Sequence, residues 1–173
     1  SFDATACQAM RKKRVADGES KVSINDLIAK AILSALKIHP EMNAHFLGNR
    51  LAVFHEVHLG IAVDSPRGLM VPVVEDASKM SLEMLSAEIK KKAIACREGT
   101  IQPDELSGGT FTLTNLGMLG VENFTPVLNP PEIAILGVGG ISVKPKRLEN
   151  GEVSFVDQIS LSLTIDHQAI DGA

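Results

Sequence analysis

The sequence contains no tryptophan and no tyrosine, and only six of its 173 residues are phenylalanine. That removes most of the aromatic platforms on which nucleic-acid bases stack. No basic tract is present either: 17 Lys and Arg stand against 21 Asp and Glu, a net charge of −4. A nucleic-acid partner is therefore not expected. Two cysteines, Cys7 and Cys96, are too few for a disulfide framework or a zinc knuckle. Both fall in helical-looking segments and read as buried thiols of a reducing compartment. No apolar run approaches the ~18 residues of a membrane span. No internal repeat, low-complexity tract, linker, signal or transit pattern is visible. What is present is ordinary globular composition, 45% hydrophobic and 22% charged. A chain of this length buries roughly 70% of its unfolded surface, so one domain can form a core without a metal or a disulfide.

Apolar spacing divides the chain into helices and strands. Asp3 to Arg14 reads as a helix capped by Asp3, with Phe2, Ala6, Ala9 and Met10 as a weak apolar stripe. Val22 to His39 is the strongest helix: Ser23 is its N-cap, Asp26 stands three residues on, and Pro40 stops it. Its stripe is Ile24, Leu27, Ile28, Ala31, Ile32, Ala35 and Leu36. Asn49 and Leu51 to Val53 suggest a turn and a short strand. His58 to Val63 and Leu69 to Val74 read as β segments joined by a turn over Asp64 to Gly68. Ser81 to Cys96 is a further helix, with Leu82, Leu85, Ile89 and Cys96 inward and Gly99 as its stop. Gly109 to Thr114 alternates, placing Thr110, Thr112 and Thr114 on one face. Ile133 to Val138 is a continuous apolar strand. Ile141 to Arg147 and Val153 to Gln158 flank a hairpin turn at Glu149-Asn150-Gly151, and Ile159 to Asp166 alternates with Leu161, Leu163 and Ile165 on one face. Helices between some strands and hairpins between others predict an α/β fold, a mixed sheet with helices packed on it.

Two constellations carry possible chemistry. The last strand runs into Asp166-His167-Gln168-Ala169-Ile170-Asp171-Gly172. An imidazole titrates near neutrality, so a histidine at a strand end can take and return a proton, and Asp171 can orient it. The same residues also fit a loop histidine beside an Asp-Gly turn. The second constellation is Gly108 to Gly117, where Thr114 and Asn115 put a hydroxyl and an amide at a strand end. Such donors can hold a developing oxyanion; they equally fit a strand cap. Three other signals fail. Gly137-Val138-Gly139-Gly140 lacks the third glycine of a dinucleotide loop and leads into a strand. His55-Glu56-Val57-His58 is one residue short of a zinc protease motif and reads as exposed strand polar residues, so no metal site is expected. Lys90-Lys91-Lys92 reads as a solvated helix face.

Taken together, these segments resemble the catalytic domain of the dihydrolipoamide acyltransferases, the E2 components of 2-oxo acid dehydrogenase complexes. The resemblance runs through Phe2-Asp3-Ala4-Thr5 with Arg11, the Ser23 helix, and Gly60 to Leu69. It continues through Gly109 to Gly117 and Asn129-Pro130-Pro131-Glu132 to Gly137, and closes with Asp166 to Gly172. Each motif is moderately specific; six in the family's order are strongly so.

The resemblance implies a two-layer sandwich of the chloramphenicol-acetyltransferase type. It implies homotrimers with active sites between neighbours, building a larger cage that works with lipoyl domains and with E1 and E3 components. The implied reaction is acyl transfer, acetyl above all, between dihydrolipoamide and coenzyme A. His167 matches the general base, Thr114 the hydroxyl donor (typically Ser in the family), and Asp171 a supporting Asp or Asn. Coenzyme A contacts match Arg11, Ser23, Asp64, Thr114 and Asn115, while the family's Arg after Asp-His is Gln168 here. The lipoyl group would come from a domain outside this chain, and the setting would be a bacterial cytoplasm or a mitochondrial matrix. Against the family pattern, residues 1–173 read as the catalytic domain without its first helix and its C-terminal helix, and with no lipoyl or subunit-binding segment. Acylation of a small-molecule acceptor and a non-catalytic scaffold role are the alternatives; an intact His167 and Asp171 argue against the scaffold.

Overall fold

The period-two and period-3.6 segments separate into a sheet and a helical layer. The structure is a computed structural model that describes residues 1–19 and 21–172. In chain order the elements are β1 (Phe2–Asp3), α1 (Thr5–Ala16), α2 (Ile24–Ile38), β2 (Ala44–Phe46), β3 (Leu51–Val53), β4 (Leu59–Ile61), β5 (Val63–Ser65), β6 (Gly68–Met70), β7 (Val73–Val74), α3 (Leu82–Glu98), β8 (Phe111–Asn115), β9 (Ala134–Arg147) and β10 (Val153–Ile165). One mixed sheet runs β1-β10-β9-β8-β4-β7, and β2-β3 and β5-β6 form two small hairpins. β4, β8 and β9 are parallel, while β10 folds back antiparallel on β9.

Register assigns the two faces. Leu59, Ile61, Phe111, Leu113, Ala134, Leu136 and Val138 share one face. Most are buried with Ile28, Ala29, Ile32, Leu33, Leu36, Leu85 and Ile89 of α2 and α3, forming the core. Gly60, Thr110, Thr112, Thr114, Ile135 and Gly137 take the other face. A segment from Val121 to Pro131 crosses that side, where Thr164 Oγ1 donates to the Pro126 carbonyl at 2.7 Å.

α2 starts as the sequence predicts. Ser23 Oγ accepts from Asp26 N at 3.1 Å, and Asp26 Oδ2 accepts from Ser23 N at 2.7 Å, a reciprocal capping box. Its buried stripe is Ile28, Ala29, Ile32, Leu33 and Leu36; Ala31 and Ala35 are exposed. The docking face is therefore rotated from the expected one, because α2 is wedged against α3 as well as the sheet. α3 likewise has Ser81 as N-cap and Gly99 just past its end at φ 73°.

Four readings need correction. Asp3 lies in β1, not in α1, although its Oδ1 accepts from Thr5 N at 3.0 Å, and with Lys146 beside it its carboxyl is held down to about 2. α1 buries none of its residues, so Ala6, Ala9 and Met10 do not form a buried stripe, and Cys7 is half-buried where Cys96 is fully buried. The expected turn at Asp64 to Gly68 is shorter, since Asp64 and Ser65 pair with Leu69 and Gly68 across β5-β6. Lys92 is buried, unlike Lys90 and Lys91, and its Nζ meets Glu105 Oε1 at 3.0 Å. The reason is spacing: Leu85, Ile89, Lys92 and Cys96 are one helical stripe, and the lysine stem packs while its ammonium reaches out to the carboxylate.

β9 is one continuous strand where the sequence suggested two, and β10 likewise; a register shift between Ile159 and Leu161 absorbs the irregularity. Leu161 and Leu163 do share the helix-side face, yet stay 39% and 51% exposed. Beyond them Ile141, Val143, Val153 and Phe155 form an exposed apolar surface on the projecting β9-β10 arm.

Candidate active site

β4 and β8 end at the same edge, level with Val138 of the longer β9, and the carboxyl ends of parallel strands are where such sheets commonly bind ligands. Thr114 and Asn115 close β8 there. Asp64 lies at this edge too, since Ala62 N donates to the Leu113 carbonyl and Asp64 follows two residues on. The N-terminus of α2 docks onto the edge through Asn115, whose Nδ2 donates to Asn25 Oδ1 at 3.1 Å. Asn115 Oδ1 also accepts from Gly117 N at 2.8 Å, so one side chain forms the turn and holds the helix. Arg11 reaches over from α1, its Nε donating to the Val22 carbonyl at 3.0 Å.

Arg11, Ser23, Asn25, Asn115 and the Gly139-Gly140 backbone line a cavity of about 460 Å³. Of the residues that the resemblance implies for coenzyme A, Arg11, Ser23 and Asn115 are brought together. Asn25 was missed; its only signal was its place two residues after an N-cap serine. Asp64 is exposed near the edge but does not line the cavity. Thr114 does not line it either, because neighbouring strand residues face opposite ways: Asn115 points to the helices and Thr114 to the other side. Among the described residues Thr114 Oγ1 has no hydrogen-bond partner, so the hydroxyl is available to a ligand.

His167 and Asp171 are elsewhere. Asp166 builds their turn: its N donates to the Ile133 carbonyl at 2.8 Å, its carbonyl accepts from Ala169 N and Ile170 N, and its Oδ1 accepts from Gln168 N at 2.9 Å. Ala169 and Ile170 pack on the core, which turns His167 outward. His167 Nδ1 lies 3.6 Å from Asp171 Oδ1, and both side chains are exposed, at 75% and 88%. Ile165 is level with Ala134, whereas Thr114 is level with Gly137 on the other side of β9. Three residues along the strand and two strand spacings across put Ile165 ~14 Å from Thr114, and His167 further still. Within one chain the imidazole and the hydroxyl cannot meet.

The threonine face of β8 holds a buried carboxyl that sequence reasoning passed over. Glu132 accepts from Thr112 Oγ1 at 2.6 Å and from Asn129 Nδ2 at 3.0 Å. Burial pushes its pKa above the ordinary carboxylate range, against the pull of these donors. A carboxyl raised on folding stabilises the fold below its unfolded pKa, and that contribution fades as pH rises through the folded value. The wild type is expected to lose stability relative to Glu132→Gln as pH rises over this window, since the variant lacks this contribution and shares all the others. Denaturant midpoints against pH check this; equal slopes in both proteins would remove Glu132 as the cause.

The glycines of Gly137-Val138-Gly139-Gly140 serve packing. A side chain on Gly139 would collide with the Glu122 carbonyl oxygen, and one on Gly117 would lie 2.7 Å from the Gly139 carbonyl oxygen. Gly139→Ala is expected to cost about 1–3 kcal/mol or more, read as a lowered Tm; an unchanged Tm would show that the Val121–Glu122 segment gives way freely. His55-Glu56-Val57-His58 is also structural: it precedes β4, and His58 Nδ1 accepts from Asp76 N at 3.1 Å. Among the described residues no helix is long and apolar enough to cross a membrane.

Comparison with known proteins gives the family and the fold. The family described as 2-oxoacid dehydrogenases acyltransferase (catalytic domain) matches residues 1–173. The dihydrolipoyllysine-residue acetyltransferase component of the Bacillus subtilis acetoin cleaving system is 43% identical over 154 residues, covering 89% of this chain and 38% of that protein. The chain thus spans well under half the length of such curated relatives. Azotobacter vinelandii dihydrolipoamide acetyltransferase superposes with a TM-score of 0.92 at 34% identity, covering 98% of this chain and 72% of that one. The cubic core of a pyruvate dehydrogenase multienzyme complex gives 0.92 at 35%, with the same coverage. A chloramphenicol acetyltransferase, at 14% identity over 94% of this chain and 75% of that one, has a TM-score of 0.53 and shares the fold alone. The chain belongs to the catalytic-domain family of the 2-oxoacid dehydrogenase acyltransferases.

Proposed function

We propose that this chain carries the acyl-transfer site of a dihydrolipoamide acetyltransferase, moving an acetyl group between the thiols of dihydrolipoamide and coenzyme A. The observation that carries the reading is the split layout. A hydroxyl and a ligand-sized cavity lie at one end of the sheet, and a solvent-facing histidine lies at the other. Two copies set edge to edge complete one site from these halves. The exposed apolar arm of β9-β10 supplies surface for that contact, since a patch of this kind marks an interface. The cubic core among the structural relatives is an assembly of this kind of chain, which supports a trimer within a larger cage. Lipoyl domains and the E1 and E3 components are the partners that follow, in a cytoplasmic or mitochondrial-matrix setting.

In this reading Arg11, Ser23, Asp64 and Asn115 hold coenzyme A, and β8 ends at Asn115, so the thiol end can round the strand to Thr114. His167 takes the proton of the attacking thiol. The thiolate adds to the thioester carbonyl, and Thr114 Oγ donates to the oxyanion that forms. Collapse breaks the old carbon–sulfur bond, and the departing thiolate recovers the proton from the imidazolium. Free thiols titrate near 8.5, within reach of an imidazole base. Asp171 Oδ1, 3.6 Å from Nδ1, orients the ring. In the Azotobacter enzyme, a serine, a histidine and an asparagine are tied to the catalytic mechanism, the last two four residues apart as His167 and Asp171 are here. The test is transfer from acetyl-, succinyl- and isobutyryl-coenzyme A to dihydrolipoamide by the assembled domain. Turnover with the acetyl donor is expected; no turnover with any donor would overturn the reading.

A further inference from the structure

Glu132 is 4% exposed, and the groups around it come from β8, from β2 and from its own turn. Thr112 Oγ1 donates to Oε2 at 2.6 Å, and Asn129 Nδ2 donates to Oε1 at 3.0 Å. His45 stands opposite Glu132 across an isolated antiparallel bridge. Its Nε2 lies 2.6 Å from the Gly109 carbonyl. A carbonyl only accepts, so Nε2 carries the proton, and the neutral ring satisfies this bond. Gly109 closes a further side: a Cβ there would lie 2.7 Å from Glu132 Oε1. Among the described residues no Lys or Arg pairs with this carboxyl, and His45 is the titratable group that faces it. A buried carboxylate with only neutral donors is a costly charge, so the surroundings suit a neutral acid.

The strand that Glu132 touches also carries Thr114. Thr112 and Thr114 are two residues apart on one face of β8, about 7 Å between their Cα atoms. The Val121–Pro131 segment covers that face. A Cβ on Gly137, which is level with Thr114, would lie 2.9 Å from Phe124 Cζ and 3.1 Å from Pro126 Cδ. Glu132 stands at the foot of this covering segment, where its N donates to the Asn129 carbonyl at 3.0 Å. Protein atoms, not bulk water, therefore surround the path from the carboxyl to the Thr114 hydroxyl. A charge at Glu132 is weakly screened there.

Resting on the oxyanion reading of Thr114 above, we propose that Glu132 is a positioning residue for that donor and that its charge state sets the rate of acyl transfer. The neutral carboxyl braces β8 through Thr112 and adds no charge to the site. The ionised carboxyl places a second negative charge within about 7–10 Å of the oxyanion, and the two repel. Burial holds Glu132 toward the neutral form, against the pull of Thr112, Asn129 and His45. Raising the pH ionises it and raises the barrier at Thr114, while the coenzyme A cavity on the other face of the sheet keeps its lining.

The test is kcat for acetyl transfer by the assembled domain, followed from about pH 6 to about pH 9 in wild type and Glu132→Gln. Titration of His167 and of the substrate thiol is common to both proteins and cancels in the ratio of their rates. The ratio of variant to wild type is expected to rise about tenfold from the acid to the alkaline end. A merely structural Glu132 gives one ratio at every pH, and that result would overturn the proposal. Thr112→Val keeps the carboxyl and removes a donor that favours its ionised form. Its alkaline loss of rate should therefore begin at a higher pH than in wild type. A loss at the wild-type pH would also overturn the proposal, and this arm stands even where Glu132→Gln does not fold. A flat ratio with an active wild type removes Glu132 alone. Wild type that transfers no acyl group overturns the oxyanion reading, and the role of Glu132 with it.

Discussion

His167→Ala is expected to lower kcat for acetyl transfer by about 10²–10⁴-fold, the usual range for a positioned general base. Affinity for coenzyme A should hardly change, because the residues proposed to hold it, Arg11, Ser23, Asp64 and Asn115, do not include His167. Stability should hold as well. The His167 side chain is 75% exposed, and the turn is built by Asp166, not by the imidazole. The effect therefore separates chemistry from folding and from binding. An alanine variant with wild-type kcat would remove the general-base role. The split layout adds a sharper form of the same experiment. His167→Ala and Thr114→Ala chains, coexpressed so that they assemble together, restore both groups wherever an intact His167 faces an intact Thr114 on a neighbour. Random mixing makes that about a quarter of the sites. Activity well above the sum of the two separate variants is expected; activity no higher than either would place both groups within one chain's site.

Thr114→Ala should cost 10²–10³-fold in kcat, about 2.7–4 kcal/mol of transition-state stabilisation for a lost oxyanion donor. Thr114 is half-buried at the end of β8, and its hydroxyl has no hydrogen-bond partner among the described residues. Removing it orphans nothing inside the protein, so the loss of stability stays within the ~1 kcal/mol span of strand propensity. Thr114→Ser keeps the hydroxyl, gives up a methyl and frees χ1, and should retain most of the rate. A strand-cap role predicts the reverse: a lowered Tm with turnover intact. Measuring kcat and Tm on the alanine and serine variants distinguishes the two.

Much of the local structure was written in short-range chemistry. Ser23 with Asp26, Ser81 with Gly99, and the Asn150-Gly151 turn mark element ends because each satisfies or releases backbone groups within a few residues. The buried place of Lys92 was legible too, since it falls on the Leu85–Cys96 stripe; a charge run simply drew the eye first. The rotated stripe of α2 was not legible, because Ala29 on one side of it and Ala31 and Ala35 on the other read alike until a neighbouring helix selects one face.

For the site, the sequence by itself determined which groups are available: a histidine with an aspartate four residues on, and a hydroxyl beside an amide at a strand end. Only the tertiary structure decided where they stand. Strand direction and register send Thr114 and His167 to opposite ends of the sheet, 53 residues apart in the chain and out of each other's reach in space. Side-chain alternation turns Thr114 and Asn115 to opposite faces, and packing of α1 and α3 against α2 gathers Arg11, Lys21 and Lys90 around one cavity. Residue type and spacing set chemistry locally, whereas the distances between groups from different elements depend on how those elements pack.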